Sequence, residues 1–237
     1  MMLTESPWRA ALAWLRPLAG REVWDGWTRR DPAIWRAELA SVIVDRVRSL
    51  VWRIERRSML AAARRRHATM LRDGALSRRV GSILFVCLGN ICRSPFAQAA
   101  ARTRLQGIAV DSAGFLNHDG RASPPHVVAA AHALGVDLTT ARAHRLESAQ
   151  LSEADLVVVM DLSHLELMAD EFPQALAKTT LLGLFDPDGP AEIRDPYDLA
   201  PLPTRETLAQ MLRALDALAQ QQQRATLCAD PAPLHAP

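Results

Sequence analysis

One lysine (Lys178), one tyrosine (Tyr197) and three cysteines are what this 237-residue sequence has least of. Three cysteines, Cys87, Cys92 and Cys228, cannot build a disulfide framework. No uninterrupted apolar run approaches membrane-spanning length, and the apolar stretch 10–15 is broken by Arg16 and too short for a secretory core. These absences exclude a disulfide-stapled secreted scaffold and a helical membrane span, and they set a reducing cytoplasm as the expected compartment. The shortage of lysine bears on nucleic acid. Arginine replaces lysine throughout, as in high-GC genomes, so an arginine-rich stretch is weak support for nucleic-acid binding.

What is present is unevenly spread. Residues 1–80 hold 17 Arg and 8 acids, about +9 net, whereas residues 81–237 hold 11 basic and 18 acidic residues, about −7. All six Trp (Trp8, Trp14, Trp24, Trp27, Trp35, Trp52) lie in the first part, and all five Phe with the single Tyr lie in the second. The division predicts an Arg- and Trp-rich helical extension over 1–80, a globular domain over 81–225, and a proline-containing disordered tail over 226–237, with Gln220–Gln223 fraying into it.

In the extension, Trp35, Leu39, Val42, Ile43, Val47, Leu50, Val51 and Ile54 recur at three- and four-residue spacing, which predicts a long amphipathic helix from residue 32 to about 71. Asp73-Gly74 supplies its stop. A shorter helix is expected around 8–18. After Arg79 short apolar runs alternate with helical stretches, the pattern of a parallel sheet with crossover helices. Strands are expected at 82–86, 108–111, 156–160 and 180–183. Helices are expected at 95–105, 124–134, 162–176 and 204–222. The fold class is α/β, a three-layer sandwich around a four-stranded parallel sheet, preceded by the helical extension.

The segment VCLGNICRSP, residues 86–95, stands where the first strand ends and a helix begins. Cysteine followed after five residues by Arg and Ser is the spacing of a phosphate-binding loop. Backbone N–H groups of Leu88, Gly89, Asn90, Ile91 and Cys92, with the helix N-terminus, converge there on phosphate oxygens. Gly89 is expected to supply a backbone conformation closed to other residues, and Pro95 suits the first helical turn. At that helix N-terminus and near Arg93, Cys87 is favoured as thiolate, the form that attacks phosphorus. Arg93 grips two equatorial oxygens, and Ser94 is placed to hydrogen-bond the departing sulfur.

This loop, with Asp111-Ser112-Ala113-Gly114, Met160-Asp161, Leu182-Gly183 and Asp195-Pro196-Tyr197 following in order, resembles the low-molecular-weight protein tyrosine phosphatases over about 145 residues. The resemblance implies hydrolysis of phosphotyrosine on a protein in two steps, through a phosphocysteine on Cys87, with neither metal nor cofactor. It makes Asp195 the acid for the leaving oxygen and then the base for water, although by its residues alone Asp195 reads as a turn Asp before Pro. It makes Asn90 and Ser112 a hydrogen-bonded pair that holds the loop. Cys92 is either the partner in a reversible protective disulfide or a small buried residue. Related bacterial enzymes oppose tyrosine kinases that control exopolysaccharide synthesis, so such a kinase is the implied partner.

The sequence departs from the family in places. Where a large aromatic usually walls the phenol slot the nearest equivalent is His118, with Phe115 as a substitute wall and Tyr197 opposite. The His-Arg-x-Arg element reads Ala141-Arg142-Ala143-His144, a loss expected to loosen the loop. Arsenate reductases of the same fold carry a further cysteine pair that is missing here. Phosphoarginine phosphatases have Thr at the position of Ile91, so Ile91 favours tyrosine phosphate. A rival reading is a feebly active phosphoprotein-binding module. The extension either packs on the catalytic domain, or meets an anionic membrane surface or membrane-bound kinase, or binds nucleic acid or oligomerises.

Overall fold

A computed structural model describes residues 32–229, so the expected helix around 8–18 lies outside the described residues. Helix α1, Pro32–Arg72, is followed by β1 (Ser82–Cys87), α2 (Arg93–Arg104), β2 (Ala109–Gly114), α3 (Pro125–His132), α4 (Ser148–Glu153), β3 (Leu156–Val159), α5 (Leu162–Glu171), β4 (Thr179–Leu181) and α6 (Pro201–Ala229). The sheet order is β2-β1-β3-β4. Every pairing is parallel, with Cys87 opposite Gly114 and Phe85 opposite Ser112.

Because strand side chains alternate, the run Ile83 to Cys87 feeds two cores at once. Ile83, Phe85 and Cys87 join Phe96, Leu208, Met211 and Leu215 on one face. Leu84 and Val86 join Val157, Val159, Leu165 and Met168 on the other. This confirms the three layers. Phe85 and Phe96 are wholly buried, each worth roughly 1.5–3 kcal/mol of transfer free energy.

Two compact units divide within α1, residues 1–58 and 59–237. Composition changes near residue 80, but the second unit starts at Met59 because the end of α1 joins its cores. Ala63, Met59 and Leu60 pack on one face of the sheet, and Met70, Leu76 and Val80 on the other. The Asp73-Gly74 stop is observed. Gly74 N–H donates to the Met70 carbonyl, and a Cβ on Gly74 would stand 2.7 Å from Met70 Cα.

Two expectations need correction. The fourth strand ends at Leu181, and Leu182-Gly183 lie in a 3-10 turn, Leu182–Phe185. A Cβ on Gly183 would meet the Pro190 and Ala191 carbonyl oxygens at 2.5 Å. The glutamine run does not fray, since α6 continues to Ala229. Val80 N–H donates to Gln222 Oε1 at 2.9 Å, and Gln221 Nε2 to the Leu76 carbonyl at 3.1 Å. These side chains satisfy backbone groups of 76–80 that would otherwise be buried unpaired.

Candidate active site

β1 ends at Cys87, buried, and α2 begins at Arg93, so the loop 88–92 runs directly from strand to helix N-terminus. None of the backbone N–H groups of 88–92 donates a hydrogen bond to another described residue. Such donors at a helix N-terminus suit an anion.

The loop is held by a chain of buried polar contacts. Cys87 Sγ lies 3.1 Å from Ser94 Oγ. Asn90 Nδ2 donates to Ser94 Oγ at 2.8 Å and to Ser112 Oγ at 2.9 Å, while Asn90 Oδ1 accepts from His144 N–H at 2.9 Å. Ser112 Oγ donates onward to Gln98 Oε1 at 2.9 Å. With its amide already supplying Ser94 with a donor, the Ser94 hydroxyl proton points to either the Cys87 sulfur or the Ala113 carbonyl, 3.3 Å away.

The left-handed residue of this loop is Asn90, with φ of 50°, and not Gly89 as the sequence suggested. Asn tolerates that region better than most residues and here gains three hydrogen bonds from it. Gly89 serves close approach instead, since a Cβ there would lie 3.2 Å from His118 Nδ1. Gly114 is the second enforced glycine. Its Cβ would stand 2.7 Å from Asn90 N and 2.8 Å from Gly89 C. The altered 141–144 element supports the loop through its backbone. His144 N–H binds Asn90 Oδ1, and Gly114 N–H donates to the His144 carbonyl at 2.9 Å. A main-chain prop does not depend on which side chain stands there.

Arg93, 3% exposed, is gripped from two sides. Nη1 donates to Asp161 Oδ2 at 2.6 Å and to the Ile193 carbonyl at 3.1 Å, and Nη2 donates to Asp195 Oδ2 at 2.8 Å. Nε has no partner. Asp161 caps α5, its Oδ1 accepting from His164 N–H and Ser163 Oγ. Burial works to raise the Asp161 carboxyl, but His164, Ser163 and Arg93 outweigh it and hold it below the usual carboxylate range. His164 itself is pushed down to about 4, first by burial. Asp195 Oδ1 accepts from Tyr197 N–H at 3.2 Å, and His126 Nε2 lies 3.1 Å from the Pro196 carbonyl, bracing the same loop.

Above the loop lies a cleft of about 640 Å³ whose walls include Ile91, Leu116, His118, Arg121, Arg194 and Tyr197, with Cys87, Arg93 and Asp195 among its lining. Tyr197 lines the cleft, and Arg121 Nη2 donates to its hydroxyl at 2.9 Å. Phe115 does not stand there. It is buried against the core and stacks on His164, with ring centroids 6.0 Å apart. Just past the end of β2 the chain bends, and Leu116, 43% exposed, takes the wall while Phe115 turns to the interior. Pro95 is buried in the first turn of α2.

Cys92 is buried and free, and burial, with Asp195 and Cys87, pushes its thiol up to about 12. Asp161, Gly114, Gln98, Leu116 and Arg121 were not picked out as site residues from sequence. Two of them carried a signal: Gly114 and Asp161 stand in the landmarks Asp111-Ser112-Ala113-Gly114 and Met160-Asp161, and Asp161 is also an N-cap Asp before an apolar helix. No group of three or more His, Cys, Asp or Glu able to hold a metal ion occurs among the described residues.

Residues 82–227 match the family described as low molecular weight phosphotyrosine protein phosphatase. The chain is similar to the probable low molecular weight protein-tyrosine-phosphatase EpsP of Ralstonia nicotianae, 35% identical over 138 residues, 58% of this chain and 93% of that protein. It is 33% identical over 142 residues to the low molecular weight protein-tyrosine-phosphatase Wzb of Escherichia coli K12, covering 59% of this chain and 91% of that one. Among solved structures it resembles the tyrosine phosphatase Wzb of Escherichia coli K30 in complex with sulphate, with TM-score 0.57 and 30% identity over 60% of this chain and 98% of that chain. It also resembles the YwlE arginine phosphatase of Geobacillus stearothermophilus, with TM-score 0.56 and 29% identity over 60% and 93%.

Proposed function

Since the chain belongs to the low molecular weight protein-tyrosine phosphatase family, we propose that it hydrolyses phosphotyrosine on a protein through a phosphocysteine on Cys87. The Cys87 thiolate attacks phosphorus, and the P–O bond to the phenol breaks. Asp195 gives its proton to the departing oxygen. In the second step Asp195 takes a proton from water, the oxygen of that water bonds to phosphorus, and the P–S bond breaks with Ser94 hydrogen-bonding the leaving sulfur. Inorganic phosphate and the starting thiolate result.

The observation that carries this reading is the set of unpaired donors around the buried Cys87. Among the described residues Arg93 Nε and the N–H groups of 88–92 meet no acceptor, and the Ser94 hydroxyl is 3.1 Å from the sulfur. Phosphate oxygens are the acceptors such a ring fits. They would compete with Asp195 for Arg93 Nη2, so substrate binding and release of the Asp195 carboxylate from the arginine become one event.

The likeness to an arginine phosphatase supports a second reading, phosphoarginine as substrate. The apolar Ile91 and Leu116 beside Tyr197 favour an aryl group over a guanidinium in the cleft. The test is hydrolysis of p-nitrophenyl phosphate, a phosphotyrosine peptide and a phosphoarginine peptide by the wild type, Cys87→Ser and Asp195→Asn, with chelator present. Turnover of both tyrosine-type substrates, abolished in Cys87→Ser and cut by ~10²–10⁴ in Asp195→Asn, is expected. Preference for phosphoarginine would reassign the substrate, and no turnover by folded wild type would return the binding-module reading.

A further inference from the structure

The phosphatase domain leaves unexplained the first half of α1. From Ile43 to Ile54 it carries Ile43, Val44, Val47, Leu50, Val51 and Ile54, and each is between 37% and 58% exposed in the folded chain. At about 100° per residue these six fall within one arc of about 120°. Arg53 and Arg57 lie along one border of the arc, and Arg48, beside Glu55, along the other. Asp45 and Trp52 are on the opposite side. Residues 40–58 hold five Arg and two acids, a net +3.

We propose that this segment is a docking surface for an anionic lipid bilayer, lying in the plane of the interface with the apolar arc inserted and the bordering guanidinium groups on lipid phosphates. Charge selects this occupant. A continuous apolar arc flanked by arginines matches a surface that is apolar inside and negative outside. A second copy of the chain fits less well. A two-stranded seam through Ile43, Val47, Leu50 and Ile54 would be flanked by Val44 and Val51 on one side and Arg46 and Arg53 on the other, with no acid at any flanking position to pair across it. The arc is also broader than such a seam needs. Docking of this kind would hold a phosphatase beside substrates on a membrane surface.

The test is flotation of the full-length chain with vesicles of phosphatidylcholine mixed with phosphatidylglycerol, against vesicles of phosphatidylcholine alone. Binding to the anionic vesicles at least about tenfold stronger, weakened by salt, is expected. Val47→Asp/Leu50→Asp should abolish it, and Arg48→Gln/Arg53→Gln/Arg57→Gln should remove the preference for anionic lipid. Both variants should hydrolyse p-nitrophenyl phosphate at the wild-type rate, since neither touches the cleft. Equal binding to the two vesicle types, or anionic binding unchanged in both variants, would overturn the proposal. So would absence of binding together with a Leu50-dependent dimer by sedimentation equilibrium, which would assign the arc to a second copy.

Discussion

Arg93 Nη1 donates to Asp161 Oδ2 at 2.6 Å, so a guanidinium at the N-terminus of α2 is fixed by a carboxylate at the N-terminus of α5, 68 residues away. The contact ties the loop 88–92 to the segment that follows the C-terminal end of β3. Arg93 Nε meets no acceptor among the described residues.

Asp161→Asn keeps a hydrogen-bond acceptor beside Arg93 but removes the charge that orients it. Turnover of p-nitrophenyl phosphate should fall by about 10- to 100-fold, the range expected when a catalytic group shifts by about an ångström. The melting temperature should change little. An unchanged kcat/KM would show that Arg93 is placed by the loop alone.

Gly114→Ala puts a methyl into the Asn90 and Gly89 backbone, at 2.7 and 2.8 Å. Since backbone cannot swing aside, the loop must move. A stability loss of ~1–3 kcal/mol is expected from overpacking, with loss of inorganic phosphate affinity measured by calorimetry. Phosphate binding at wild-type strength would contradict the close approach.

The slot wall separates two neighbouring residues. Leu116→Ala should raise KM for aryl phosphates several-fold with little effect on thermal stability, because Leu116 is 43% exposed and outside the buried core. Phe115→Ala should cost about 3–5 kcal/mol in urea unfolding. The opposite pattern would restore Phe115 to the slot.

Two buried imidazoles should shape acid stability. His67, buried against Thr180 and Phe185, and His164 are both pushed down to about 4 from 6.5, chiefly by burial. Above pH 6.5 both are neutral in folded and unfolded chains alike. As pH falls from 6.5 toward 4 the unfolded rings take up protons that the folded ones refuse, so stability falls through this window, by up to about 3 kcal/mol for each ring. Urea midpoints between pH 7 and pH 4 measure it. His67→Gln should remove roughly half of the slope, and a flat profile would contradict both assignments.

Cys92, pushed up to about 12, is a neutral thiol at neutral pH. Iodoacetamide at pH 7.5 should leave the peptide containing Cys92 unmodified in the folded protein, as read by mass spectrometry. Cys92→Ala should retain turnover within a few-fold. Rapid labelling of Cys92 would place it at the surface.

The fold class was legible because parallel strands buried on both faces read as apolar runs, as in 82–86 and 156–160, separated by helical spacing. The loop 86–95 was legible for a related reason. A phosphate ring assembled from consecutive backbone groups needs its side chains at fixed local spacing, so Cys87, Asn90, Arg93 and Ser94 announce themselves within eight residues. What holds that loop is remote in sequence. Asp161 reaches Arg93 across 68 residues, His144 reaches Asn90 across 54, and Gly114 is demanded only by the backbone lying against it. Likewise Phe115 and Leu116 follow the end of β2 in a bend, and nothing local says which of the two faces the interior. Local chemistry is written in spacing. Packing, pairing across the sheet and the burial that sets Cys92, His67 and His164 exist only once distant segments share one interior, and those were decided by the tertiary structure.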